Sequence, residues 1–177
     1  MSEIHDLRVR AAAMSLDAAT AAFLSFLSQL PEPISETPPT GGWSPSGHAW
    51  HLALTNDVFS GALIGDGPIT PVAGTSDFID AQWNFTAPPR VAAPGILIPP
   101  AGAKRADAAA RLRESAKRLR PLIESMDASR GALTVQLPWN RVSVYQMTEW
   151  ATGHTLRHLS QVGHELHLSG QRAPAVV

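Results

Sequence analysis

Apolar residues recur at helical spacing in four segments of the chain, separated by proline and glycine. In the first, from about residue 6 to 30, Leu7, Ala11, Met14, Ala18, Ala21 and Leu24 lie three or four positions apart, and Pro31 stops the run. The second opens at GGWSPSGHAWHLAL. Ser44 can accept from an early backbone N–H, and Pro45 has a preset φ and lacks an N–H that would have no helical partner there. This helix is predicted to reach about Ile64, before Gly65. The third, from about Lys104 to Ile123, puts Ala108, Leu112, Ala116, Leu119 and Ile123 on one face. Pro121 should end it or bend its last turn. The fourth starts at a capping box, Ser143 and Gln146, with Val142 and Met147 spaced as a hydrophobic staple. It should continue to about Leu168, with Gly170 as the C-terminal cap. The prediction is an all-α fold of four helices.

The segment between the second and third helices is 39 residues, Gly65 to Ala103, and holds 7 of the 15 prolines. A loop that long is uncommon in a compact domain unless it covers or binds something. Its apolar residues, the run GILIPP with Trp83 and Phe85, argue that it packs. It can also run the length of a bundle: a 20-residue helix is only ~30 Å long, whereas the connector could span over ~100 Å. The second and third helices can therefore be parallel, joined by a crossover.

Composition narrows the class. A length of 177 residues suits one domain, and 44% apolar with 16% charged residues describes a globular chain. The net charge of −1 gives no general attraction to nucleic acid or an anionic membrane. There is no cysteine, which excludes disulfides, thiolate catalysis and cysteine ligation, so any thiol chemistry needs a thiol carried by a small molecule. The N-terminus, with Glu3, His5 and Asp6, does not resemble a secretory signal. The longest candidate membrane stretch, Ala18 to Leu30, is interrupted by polar residues and too short to span a bilayer. A cytoplasmic location is expected.

The candidate chemistry lies in EWATGHTLRHLSQVGHELH, residues 149–167. At about 100° per residue, with His154 at zero, His158 falls at about 40°, Gln161 at about −20° and Glu165 at about 20°. His164 and His167 turn away, at about −80° and −140°. Met147 and Ala151 continue the stripe, so it should face the interior. Histidines at i and i+4 can aim at one metal ion, which needs a further protein ligand. GHAWHL supplies His48 and His51, and spacing alone does not choose between them. The plainer reading of any single histidine is a hydrogen-bonded side chain, and His5, His164 and His167 are read as surface or packing residues. The H-E-x-x-H pattern fails because Leu168 stands where its second histidine would be, and no Glu-x-x-His pair occurs.

GGWSPSGHAWHL, followed much later by HTLRHLSQV, resembles the DinB-like (DNA-damage-inducible) superfamily of metal-binding four-helix bundles. That group includes thiol-dependent S-transferases and maleylpyruvate isomerase. The matching residues are Trp43, Ser44, Pro45 and His51, then His154, His158 and Gln161. The resemblance implies His51, rather than His48, as the third ligand beside His154 and His158. It also implies one domain over residues 1–177, an up-down-down-up bundle with the long crossover in the middle, and a homodimer. The chain departs from the family at Gly47, where a glutamate often completes a capping box. That departure weakens the helix start by about 1 kcal/mol. The resemblance gives His48 no role.

Three neutral imidazoles leave a divalent ion its full charge and at least one position for water or substrate. Such an ion can lower the pKa of water toward ~7 or hold an incoming thiol as its thiolate. Zinc and nickel fit best, although imidazole also suits copper and iron. Gln161 could orient a ligand ring from the second shell, or simply bond within its helix. Tyr145 or Asp57 could assist, but no general base can be assigned. The basic residues Lys104, Arg105, Arg111, Arg113, Lys117, Arg118 and Arg120 read as snorkelling side chains on an amphipathic helix. The sharper alternative is an anion site for a carboxylated thiol or substrate. The expected function is a metal-dependent enzyme of thiol-transferase or hydrolase type acting on a small molecule, with no nucleic-acid or membrane partner. The alternative is a non-enzymatic metal-binding dimer that senses or sequesters a small ligand.

Overall fold

The computed structural model describes residues 3–74, 92–137 and 140–171. Four long helices dominate: α1 (Glu3–Gln29), α3 (Pro45–Ile64), α4 (Arg105–Glu124) and α6 (Val144–Leu168). Two short helices, α2 (Glu32–Glu36) and α5 (Ala128–Gly131), a 3₁₀ turn at Gly95–Leu97, and two strands, β1 (Thr134–Gln136) and β2 (Arg141–Ser143), complete the described elements. The strands pair antiparallel, with Val135 opposite Val142, and Val72 adds an isolated bridge to Thr134. This small sheet and the short helices were not expected from the sequence.

The helix starts form for the local reasons read from the chain. The Ser44 side chain accepts from Gly47 N at 3.0 Å, with Pro45 in the first turn. Ser143 and Gln146 close a reciprocal capping box: Gln146 N donates to the Ser143 hydroxyl at 3.1 Å, and Ser143 N donates to Gln146 Oε1 at 3.0 Å. Gly65 ends α3 at φ 80°, a left-handed position that suits glycine. Pro121 does not end α4, which continues to Glu124. Its backbone oxygen accepts from Ser125 N at 2.9 Å in the last turn.

α3 packs mainly on α4 and also on α6, which brings its histidines toward those of α6; α1 packs on both α4 and α6 and only slightly on α3. Two apolar clusters fill the interior. One takes the first half of α1 (Val9, Leu16), the end of α3 (Phe59, Ala62), the end of α4 (Leu119, Ile123) and the start of α6 (Met147, Ala151). The other takes the end of α1 (Phe23, Leu27), the start of α3 (Ala49, Leu52), the start of α4 (Ala108, Leu112) and the end of α6 (Leu159, Leu166).

One expectation about a face changes. On α1 the repeating residues Leu7, Ala11, Met14, Ala18 and Ala21 are exposed, and the helix instead buries Val9, Ala12, Ala13, Leu16, Phe23, Phe26 and Leu27. Both sides of α1 are apolar. The side with the larger combined area of Phe and Leu wins, because stabilisation scales with the area removed from water. α1 is also the one described helix long and apolar enough to cross a membrane by length and composition. Here it supplies a wall of the bundle. Trp83 and Phe85 lie outside the described residues, so their expected packing has no structural counterpart here.

Candidate metal centre

His51 sits in the second turn of α3, and His154 and His158 stack one turn apart on α6. All three are buried, at 5%, 6% and 8% exposure. Their Nε2 atoms converge: His51 to His154 at 3.2 Å and His158 to His154 at 2.9 Å. Each of the three offers one ring nitrogen within 4.8 Å of the others, and among the described residues no other such group of potential ligands occurs.

The proton count gives this convergence its meaning. His51 Nδ1 lies 2.7 Å from the backbone oxygen of Leu97. A carbonyl only accepts, so Nδ1 carries the ring proton and donates. In the neutral ring Nε2 is then a bare lone pair. Burial pushes His51 down to about 4, opposed by the Leu97 bond and helped by the nearby His48. Burial likewise holds His154 and His158 well below the ordinary imidazole value, and the neighbouring rings push the same way. With His51 Nε2 bare, neutral rings can place a proton in only one of the two Nε2–Nε2 contacts, and a divalent cation could be the missing partner. The distances fit. With Zn–N of about 2.0–2.1 Å, tetrahedral ligands stand roughly 3.3 Å apart, so the closer pair need open only by a few tenths of an ångström.

Two indoles wall the cluster. Trp150 stacks on His154 with centroids 4.2 Å apart and planes at 15°. Trp43 lies 4.6 Å from His51, 5.5 Å from His48 and 6.5 Å from His158. Gly47 leaves it room: a Cβ there would meet Trp43 Cβ at 3.1 Å, tighter than an ordinary contact.

Residues beyond the trio fall into place differently. His48 is buried, 2% exposed, with Nδ1 2.9 Å from His158 Nδ1, on the far side of that ring from the convergence point. Gln161 donates from Nε2 to Glu165 Oε1 at 2.8 Å, and Glu165 in turn faces His48 with 3.7 Å between Oε2 and Nε2. Gln161 therefore bonds within its own helix. His48 holds the Glu165 carboxyl below its ordinary range, against the opposing effect of burial, and the Gln161 amide adds to the lowering. Phase placed Glu165 on the stripe, but nothing in the sequence tied it to His48.

His164 and His167 are exposed. His5 is buried and meets the Tyr145 hydroxyl at 2.6 Å. Tyr145 is thus engaged with α1, and Asp57 is taken up by Arg111 and Arg118 of α4. Neither residue touches the trio in any described contact. The basic run is largely paired within the chain: Arg120 with Asp17 and Glu124, and Lys104 with Glu36 at 2.8 Å.

A family model described as the DinB superfamily matches residues 15–162. No curated protein and no solved structure matches the chain.

Proposed function

We propose, from the premise that this chain belongs to the DinB superfamily, that it is a metal-dependent enzyme of the thiol-transferase or hydrolase type. His51, His154 and His158 would hold one divalent ion, zinc or nickel. The observation that carries this reading is the meeting of three buried Nε2 atoms. Three protein ligands match catalytic zinc sites, which keep a position open, rather than structural sites with four. A bound ion would supply Lewis acidity toward a reactant at that position. The chain supplies the rest. Leu97 O fixes the His51 proton on Nδ1, and Trp43 and Trp150 exclude water from two sides. A thiol substrate would come as a low-molecular-weight compound, since the protein has no cysteine.

The same reading takes residues 1–177 as one up-down-down-up bundle. The way the two apolar clusters sort the helix halves supports it. We also propose a cytoplasmic homodimer without nucleic-acid or membrane partners. Ile4, Leu7 and Met14 on α1 and Leu156 on α6 are exposed apolar side chains that a second copy would cover. The internal pairing of the α4 arginines argues against a phosphate-binding face.

The test is elemental analysis of tag-free protein prepared without chelator, followed by a turnover screen with low-molecular-weight thiols and simple esters. About one ion per chain, lost in His154→Ala, is expected together with turnover. A metal-free native protein that also fails to take up added zinc or nickel would sink the site. Metal without turnover would leave a binding dimer that senses or sequesters a small ligand.

A further inference from the structure

His48 has no part in the converging trio, yet it is among the most deeply buried polar side chains, 2% exposed. It stands between His158 and Glu165, with Nδ1 2.9 Å from His158 Nδ1 and Nε2 3.7 Å from Glu165 Oε2. Among the described residues, both His48 Nε2 and Glu165 Oε2 are buried without a hydrogen-bond partner. A donor and an acceptor, each costly to leave unmade, thus face each other across a gap that a shift of roughly 1 Å would close. Gln161 holds the other carboxylate oxygen at 2.8 Å and keeps Glu165 turned inward.

The order of donors along this row is fixed from its outer end. An ionised carboxylate only accepts, so it calls for a proton on His48 Nε2. In the neutral His48 ring, Nδ1 is then an acceptor and calls for a proton on His158 Nδ1. In the neutral His158 ring, Nε2 is left bare, pointing at His154. Each link follows from one atom having one proton to give. We propose that Glu165 and His48 are positioning residues that set the tautomer of His158, so that its Nε2 faces the ion, and that both therefore govern metal affinity without touching the metal. The inference rests on the three-histidine reading. It gives His158, through side chains, what His51 receives from the Leu97 carbonyl.

Two measurements on the tag-free full chain test it. The first needs no metal: long-range ¹H–¹⁵N correlation of the histidine rings in chelator-stripped protein. The native protein should show His158 as the Nδ1–H form, and His48→Phe should shift it toward Nε2–H or a mixture. The second is zinc affinity by competition with a chromophoric chelator. His48→Phe, which keeps the bulk of a ring and removes both polar contacts, should bind 10–100-fold more weakly, the usual loss for a partner behind a ligand. Glu165→Gln should lose affinity to a smaller degree. His48→Gln, whose amide can accept from His158 and donate to Glu165, should stay within a few-fold of native. Equal losses in His48→Phe and His48→Gln would overturn the proposal in favour of simple packing, and so would native affinity in His48→Phe. If His48→Phe fails to fold, unchanged affinity and an unchanged His158 tautomer in Glu165→Met, which leaves His48 no acceptor, would overturn it as well. A native protein that binds no zinc would sink the three-histidine site itself. An Nε2–H form of His158 in a native protein that does bind zinc would sink only the row behind it.

Discussion

Two buried histidine neighbourhoods in this bundle have opposite chemistry. His5 on α1 meets a hydroxyl, that of Tyr145, at 2.6 Å. The Tyr145 ring is seated over Gly131, where a Cβ would lie 2.3 Å from it. A hydroxyl can donate or accept, so either tautomer of His5 finds a partner. The trio of His51, His154 and His158 is as deeply buried, but there Nε2 meets Nε2. Burial of a histidine does not separate a structural residue from a ligand. What separates them is whether the surroundings can complete the proton count.

The contrast can be broken most forcefully by saturating the trio. Zinc at about a thousand times its dissociation constant should stabilise the fold by about 4 kcal/mol. For a chain of this size that is a rise in Tm of roughly 10 °C by calorimetry. No rise at saturation would mean that the rings are as self-sufficient as His5.

Next in size is a matched pair of substitutions read by zinc competition. Four-ligand zinc sites bind with ~10–16 kcal/mol, so one ligand is worth about 3 kcal/mol, and His154→Ala should lose on the order of 100-fold in affinity. His5→Ala should keep native affinity. Equal losses in the two variants would place the ion elsewhere.

Acid should act on the trio through linkage. Burial holds His51 at about 4 in the folded protein, against an ordinary value of 6.5. Between those values the unfolded chain binds the extra proton, so stability is full above about pH 6.5 and falls as the pH drops toward 4. The loss from His51 alone is on the order of 3 kcal/mol, with His154 and His158 adding in the same direction. Urea titrations of the metal-free protein at pH 7 and pH 4.5 would show the drop, and His51→Gln should reduce it without abolishing it.

The smallest effect sharpens the other side. Tyr145→Phe removes the hydroxyl that His5 meets and should cost about 1 kcal/mol, with zinc affinity unchanged. A change in affinity would show the two neighbourhoods to be coupled.

What could be read in the chain was whatever is decided locally. The starts of α3 and α6 follow from Ser44-Pro45 and from Ser143 with Gln146, where the deciding groups lie within one turn. The His154–His158 pair is legible for the same reason. His51 was reached only through the family resemblance. α3 buries both His48 and His51, so phase along that helix holds no preference between them. α1 misled because apolar residues run along both of its sides. The hairpin strands are three residues each, too short for alternation to stand out. The opposition of His48 and Glu165 brings together residues from two helices, and no spacing rule reaches that far.

The oxygen that orients His51 belongs to the main chain of the 3₁₀ turn, Gly95–Leu97. Whatever side chain stands at position 97, that oxygen is the same, and only a change in the path of the backbone can remove it. The ring at 51 is therefore insulated from point substitutions in the connector, whereas the ring at 158, which leans on another side chain, is open to retuning by a single replacement.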